Sequence, residues 1–243
     1  MIYIINGNIE LLYSLKLVYI CGVKIKIKIH HLCLLLLLVP LVSFSQSTTY
    51  KELLKKDVAL FESAKTASEF IYAANCFEKL AMTEKKEWLA FYYAGLCNVL
   101  AAFEKQNKEI DTFCDKAEGF SRKADSLSKN NSEVMVLKSM IAAARINVNK
   151  AQRGQKYGAM ATKFAMEAVK LNDANPRAHF VKAKAILNTP PALGGGEKKA
   201  KPAFELVLEK MKTFKPESLQ APSWGKDEAE KELKKINASA VKK

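Results

Sequence analysis

The stretch that most resembles a catalytic loop is NTPPALGGGEKKA, residues 188–200. A phosphate-binding P-loop needs G-x-x-x-x-G-K-[ST] after a strand, because its backbone amides wrap the phosphates while the lysine and hydroxyl complete the contacts. Here no Ser or Thr follows the lysines, and the preceding residues show helical periodicity. We therefore interpret the stretch as a turn: Pro190 and Pro191 end one helix, the glycines allow reversal, and Glu197 favours the next helix start.

Other residues with catalytic or metal-binding chemistry are few and dispersed. His179 is the only histidine beyond the N-terminal leader, so no cluster of imidazoles can be assembled. The acidic residues are scattered among lysines, as expected for solvated ion pairs rather than for coupled catalytic carboxylates. The sequence therefore predicts no catalytic residue, no cofactor-binding residue and no metal site, and we do not expect an enzyme.

Three cysteines follow the leader: Cys76, Cys97 and Cys114. An odd number excludes complete internal pairing, and no Cys-x-x-Cys or Cys/His metal spacing is present. Each lies among apolar residues at helical spacing, which favours buried thiols. A disulfide between Cys97 and Cys114 stays open if their helices are antiparallel neighbours in an oxidising compartment.

The N-terminus has the pattern of a secretory signal peptide, assigned to residues 1–45. Basic residues precede an apolar run at 32–42, and Ser43-Phe44-Ser45 predicts cleavage before Gln46. The run is shorter than the roughly 20 residues that cross a bilayer. Residues 1–23 make the leader unusually long, which leaves open a start codon assigned too far upstream or an uncleaved anchor. We expect an exported protein, periplasmic or secreted.

The chain is basic, with a formal net charge of +14 at pH 7, and it stays basic beyond the leader. Lysines alternate with glutamates along the helical segments, as in EKKAKPAFELVLEKMK, which is typical of solvated helix faces. Nucleic acid is therefore not a predicted partner. Electrostatic association with an anionic envelope surface stays open.

Apolar residues recur at steps of three and four along most of the chain, which predicts eight or nine amphipathic helices with short connections. Consecutive helices should pack antiparallel. Ser132 is the expected N-cap in KNNSE, and Pro176 is expected at a helix start. The predicted class is therefore all-α.

Small residues repeat at a fixed interval along these helices. Gly95, Ser139 and Ala183 are 44 residues apart, and each is followed by a second helix with small or apolar residues seven apart. The seven-residue pairs are Ala117 and Ala124, Ala161 and Ala168, and Ala200 and Val207. Small side chains at these positions predict helix pairs whose backbones approach closely.

These motifs resemble the tetratricopeptide repeat (TPR) family. FYYAG with KAEGFSRKA resembles one unit, AMATKFAMEAVKLNDANP a second helix and unit end, and RAHFVKAKAIL with KKAKPAFELVLEK a third. The sequence departs from the family at four positions and in its period, which exceeds the family's roughly 34 residues. The four are Lys138 and Lys182 at a large apolar position, and Ser121 and Ala165 at an aromatic one.

The resemblance implies antiparallel helix pairs stacked as a right-handed solenoid over residues 85–214, between N-terminal helices at 46–84 and a C-terminal capping helix and basic tail at 215–243. Trp224 is expected to pack the capping helix against the last pair, and His179 to fill an aromatic packing position. The proline and double-glycine loop also resembles loops of exported helical-repeat proteins of Bacteroidetes-type bacteria.

The TPR resemblance implies a non-enzymatic protein that binds a peptide or protein partner on its concave surface. The candidate partner-binding residues are polar groups on otherwise apolar helix faces: Tyr93, Asn98, Lys138, Arg145 and Lys182. Their charge suits an acidic or C-terminal carboxylate ligand. The alternative is a structural assembly subunit that uses its outer or end surfaces.

Overall fold

The computed structural model describes residues 17–20, 23–26, 49–104 and 108–241. The chain divides into two compact units, Met1–Lys51 and Glu52–Lys243. In the first unit, strands β1 (Leu17–Ile20) and β2 (Val23–Lys26) form an antiparallel hairpin with Leu17 opposite Lys26. The predicted apolar run of the signal peptide and the cleavage position before Gln46 lie outside the described residues.

After the hairpin, the described residues form nine helices and one short 3-10 turn. The helices are α1 (49–63), α2 (Ala67–Thr83), α3 (Trp88–Phe103), α4 (Lys108–Leu127), α5 (Ser132–Ile146), α6 (Lys150–Leu171), α7 (Pro176–Asn188), α8 (Glu197–Thr213) and α9 (Lys226–Val241). The 3-10 turn, Pro191–Leu193, lies between α7 and α8. Apart from this hairpin, the described residues are all-α, as predicted.

Helix packing follows chain order. From α2 to α9, each helix packs against the next, and α5 also packs against α3 and α7. The ring of Phe61 in α1 lies 5.4 Å from that of Tyr93 in α3, measured between centroids. Short connections therefore place consecutive helices side by side, as the periodicity predicted.

Polar side chains cap the start of four of the described helices, α2, α5, α6 and α7. The side chain of Thr66 accepts a hydrogen bond from the Glu69 amide, which completes a capping box at α2. The N-caps of α5, α6 and α7 are Asn131, Asn149 and Asn175, each accepting from backbone amides, and Pro176 follows at the predicted helix start. The prediction of Ser132 as N-cap is therefore wrong by one residue.

Asn131 takes the cap because its backbone is extended, while Ser132 is already the first residue of α5. The hydroxyl of Ser132 instead donates to the carbonyl of Ala168 in α6, at 2.8 Å. Ser132 therefore joins two helices rather than ending one.

The glycine-rich stretch is the predicted turn between two helices. It follows α7, where a P-loop would follow a strand. Gly194 and Gly196 have φ of 84°, in the left-handed region that favours glycine, and the Gly196 amide donates to the carbonyl of Ile186 at 2.9 Å. The reversal is thus built from backbone hydrogen bonds.

The small residues at the 44-residue interval are all buried. A Cβ at Gly95 would lie 2.8 Å from Cδ2 of Leu137 and 3.3 Å from the carbonyl oxygen of Ala117. Ser139 donates to the carbonyl of Ala161 at 2.9 Å. Gly95 and Ser139 therefore lie at close approaches between helices, as their size predicted, and Ala183 is fully buried.

Residues 214–225, here called the crossover, connect α8 to α9 without a helix. The hydroxyl of Tyr93 donates to the carbonyl of Gln220 at 3.0 Å, and the indole of Trp224 donates to the hydroxyl of Tyr92 at 3.0 Å. Trp224 also meets the ring of Phe180 in α7 edge-on. Its contacts extend beyond the predicted last helix pair to α3, because the crossover is long enough to return to that helix.

Candidate functional site

An open groove lies where α2 and α4 flank the start of α3, and we call it the α2–α4 groove. Its volume is about 450 Å³. Both flanking helices pack against α3, which contributes Phe91. The lining residues are Glu78, Met82, Lys85, Phe91, Asp115, Lys116, Gly119, Phe120 and Lys123.

The apolar part of the groove comes from two aromatic rings and a thioether. Phe91 is buried, Phe120 is half-buried, and Met82 is 54% exposed. Gly119 keeps the wall open, since no atom lies within 4 Å of the position of a Cβ added there. The groove therefore has an apolar surface, and Gly119 leaves room beside Phe120.

Three exposed lysines give the groove a positive edge: Lys85, Lys116 and Lys123. Within the part of the chain that the structure describes, none of the three forms a salt bridge. Two acidic residues, Glu78 and Asp115, also line the groove. Asp115 is held by Arg145 at 2.7 Å, so its charge is already partnered. The available cations suit a ligand that carries carboxylates.

A smaller open pocket of about 260 Å³ lies between α1 and α2. Leu60 and Tyr72 give it apolar walls, and Glu69, which also lines it, is occupied in the α2 capping box. The hydrogen bonds from the Lys65 and Thr66 amides hold the pKa of Glu69 below its usual range. The carboxylate of Glu69 therefore caps the start of α2.

None of the five predicted partner-binding residues lines the α2–α4 groove. Tyr93 is buried, stacks on Phe77 and donates to Gln220. Asn98 is buried and donates to the carbonyl of Ala94 in its own helix at 2.8 Å. The polar atoms of both residues are therefore satisfied inside the chain.

The three basic residues among the predicted partner-binding set differ in their surroundings. Lys138 pairs with Asp125 at 3.1 Å, and Arg145 contacts three acidic side chains of α4. Lys182 is exposed. Partner binding by these residues stays a prediction, and Lys182 is the one of the five whose side chain is open to solvent.

His179, Cys97 and Cys114 are buried, whereas Cys76 is half-buried, in contrast to the prediction. Nε2 of His179 lies 2.9 Å from the carbonyl oxygen of Asp173, and burial lowers the pKa of the imidazole. Cys76, Cys97 and Cys114 are free thiols. Burial raises the pKa of Cys97 and raises that of Cys114 to about 12, so both thiols are protonated at neutral pH.

A buried ionic network joins α3, α5 and α7. Nε of Arg177 donates to Oε1 of Glu133 at 2.7 Å, and Glu133 also accepts from the Tyr92 hydroxyl and the Asn175 amide. The guanidinium lies over the ring of Phe214 in the crossover, 4.5 Å from its centroid. Burial raises the pKa of Glu133, although Arg177 partly offsets the effect.

Neither a metal centre nor a membrane span is found within the described ranges. No group of three or more His, Cys, Asp or Glu side chains there is arranged to hold a metal ion. No helix among those residues is long and apolar enough to cross a bilayer.

Comparison with known proteins identifies a relative among solved structures. No family model matches the sequence, and no curated protein matches it. The HusA haemophore from Porphyromonas gingivalis is similar, with 35% sequence identity and a TM-score of 0.72. The alignment covers 78% of this chain and 94% of that chain. The chain belongs to the family of the HusA haemophore.

HusA is a haemophore, a binding protein rather than an enzyme, and comes from a member of the Bacteroidetes. The relationship extends over nearly the whole HusA chain, so the helical fold is a family property. It agrees with the predicted resemblance to helical proteins of Bacteroidetes. Membership of the TPR family is not confirmed.

Sequence reasoning missed the α2–α4 groove, although one signal was present. Lys116, Gly119 and Lys123 are spaced by three and four residues, which places them on one face of α4. A glycine between two lysines on a helix face marks an open, basic surface. The contributions of Met82 and Phe91 become visible only when α2 and α3 are placed beside α4.

Proposed function

We propose that the protein binds haem in the α2–α4 groove and acts outside the cytoplasm. The proposal rests on one observation: a chain of the HusA haemophore family carries an apolar groove edged by lysines that have no salt bridge among the described residues. The family relationship alone does not say where on the chain haem would bind. The α2–α4 groove supplies a location whose chemistry suits haem.

Haem is a flat, largely apolar macrocycle with two propionate carboxylates at one edge. The half-buried ring of Phe120 and the exposed thioether of Met82 suit its face, and the lysines suit its propionates. The groove volume of about 450 Å³ is within the range of roughly 300–1,000 Å³ for small-molecule sites. Met82 also supplies a thioether sulfur, a ligand type that haem iron accepts.

Gly119 provides the test of the site. Leucine at position 119 would project into the groove, and no neighbouring atom within 4 Å of its Cβ opposes the change. Glycine to leucine in a helix interior also raises helix propensity by up to about 1 kcal/mol, so folding is retained. Gly158→Leu in α6 is the matched control, because Gly158 is also helical and equally unobstructed but does not line the groove.

The measurement is a haem titration followed by the Soret absorbance of the mature protein. We expect Gly119→Leu to weaken haem affinity at least about tenfold, which corresponds to roughly 1.4 kcal/mol. Gly158→Leu should bind as the wild type does. Absence of haem binding by the wild type would refute the function, and equal affinities of all three proteins would refute the groove.

Export is part of the same proposal. A protein that collects haem outside the cytoplasm must leave the cytoplasm, and the predicted signal peptide with cleavage before Gln46 provides the route. N-terminal sequencing of the mature protein should find a start at or near Gln46. A mature chain that retains residues 1–45 would contradict the cleavage.

A second candidate function is binding of a peptide or protein by TPR-like stacked helix pairs. The contacts of α5 with both α3 and α7 support such stacking. The observation that favours binding is the crossover, a non-helical segment of this chain held against Tyr92, Tyr93 and Phe180. Pull-down with wild type and Lys182→Glu tests this candidate, and identical sets of captured proteins would discard the role of Lys182.

A further inference from the structure

Arg145, in the last turn of α5, is the centre of an ionic cluster with α4. Its guanidinium lies 3.1 Å from Asp111, 2.7 Å from Asp115 and 2.9 Å from Glu118. The arginine side chain is only 12% exposed, whereas that of Asp115 is 71% exposed. The cation is therefore held against the protein while one of its partners faces solvent.

The three acidic partners depend on Arg145 to different degrees. Asp111 also pairs with Arg153 at 2.8 Å, and Glu118 also pairs with Arg122 at 3.1 Å. Asp115 has Arg145 as its one salt-bridge partner among the described residues. Removing Arg145 would therefore release Asp115, while the other two carboxylates would each keep a cation.

Asp115 is also the acidic residue through which this cluster meets the α2–α4 groove, where it lies beside Lys116. A carboxylate released at this position would repel an anionic ligand and attract the groove lysines. We propose that Arg145 is a positioning residue for the ligand site: by holding Asp115, it keeps the groove lysines available for the carboxylates of the ligand. The inference rests on the proposed haem-binding function and adds to it a determinant for carboxylate-bearing tetrapyrroles.

Arg145 also joins α5 to α4, so loss of affinity after its substitution has a competing explanation in damaged packing. Two further variants separate these explanations. Asp115→Asn removes the charge that Arg145 is proposed to control. Arg153→Met removes a cation from the same cluster but leaves the contact between Arg145 and Asp115 intact.

The experiment compares haem affinity of the wild type with Arg145→Met, Asp115→Asn, the Arg145→Met/Asp115→Asn double variant and Arg153→Met. At low ionic strength Arg145→Met should weaken binding about two- to fivefold, the effect expected for one exposed charge, and added salt should reduce the difference. The double variant should recover wild-type affinity. Arg153→Met should bind haem with an affinity within about twofold of the wild type. Asp115→Asn removes a carboxylate from the groove, so its affinity for haem should rise, by up to about fivefold.

The dimethyl ester of haem, which lacks the propionate charges, provides the second readout. Its affinity should be the same for the wild type and Arg145→Met. Failure of the double variant to recover, equal losses for Arg153→Met and Arg145→Met, or an equal loss toward the ester would overturn the positioning role. Those outcomes leave haem binding by the wild type intact, whereas a wild type that binds no haem overturns the proposed function and this inference with it.

Discussion

Gly95 lies at the point where α3 approaches both α4 and α5. A Cβ there would come within 2.8 Å of the buried Leu137 side chain and 3.3 Å of the Ala117 carbonyl oxygen. In a close-packed interior such an overlap forces side chains or backbone to shift. Glycine is therefore required at position 95 by the close approach of neighbouring residues, and not by a backbone conformation that favours glycine.

Gly95→Leu should destabilise the protein by about 1–3 kcal/mol, because the overpacked helices must separate. Urea denaturation followed by circular dichroism measures the change. Gly158→Leu is again the control, since its site is open and the helix gains propensity, so its free energy of unfolding should stay equal or rise by up to about 1 kcal/mol. Equal stabilities of the two variants would show that Gly95 is not a packing constraint.

At the scale of helices, most features follow from local sequence. Periodicity predicted the helices, the turn at Pro190 to Gly196 and the burial of Gly95, Ser139 and Ala183. These predictions succeed because helix periodicity and turn chemistry depend on neighbouring residues. The N-cap of α5 is Asn131, one residue before the predicted Ser132. Asn and Ser are both good caps, and only backbone geometry decides between them.

The partners of polar side chains cannot be predicted from local sequence in this way, because they come from distant parts of the chain. Tyr93 was selected as a polar group on an apolar face, yet its hydroxyl meets Gln220, which lies far along the chain. Lys116 and Lys123 look like ordinary solvated lysines in the sequence, and the placement of α2 across α3 makes them part of a groove. Contacts between distant elements decide both cases.

The pair of Arg177 and Glu133 connects α7 to α5, and Tyr92 extends the connection to α3. Arg177 is 1% exposed, so removing it strands a buried carboxylate. We expect Arg177→Met to destabilise the protein by about 3–5 kcal/mol, and Arg177→Met/Glu133→Leu to cost much less because no buried charge remains.

The control for this pair is Arg122→Met, which breaks a surface pair whose arginine is 68% exposed and should change stability by about 0.5 kcal/mol or less. Urea denaturation of the four proteins measures all the effects. A loss for Arg177→Met no larger than for Arg122→Met would show that the network does not stabilise the contact between α5 and α7.

At the scale of the whole molecule, two surfaces of the helical array differ in whether this chain covers them. The crossover lies against Tyr92, Tyr93 and Phe180, so this chain already occupies part of the surface formed by α3 and α7. The α2–α4 groove, in contrast, is open. We therefore propose that the ligand lies between α2 and α4, where an apolar surface and available cations coincide.

The most direct test of this placement is mapping of the haem contact by heteronuclear NMR on the mature protein. Backbone amide signals are followed as haem is added, with assignments for both the groove and the crossover. We expect the signals of Met82, Phe91, Gly119 and Lys123 to broaden or shift first, while those of residues 214–225 stay unchanged. Perturbations confined to the crossover and α7, with the groove signals unaffected, would contradict this placement.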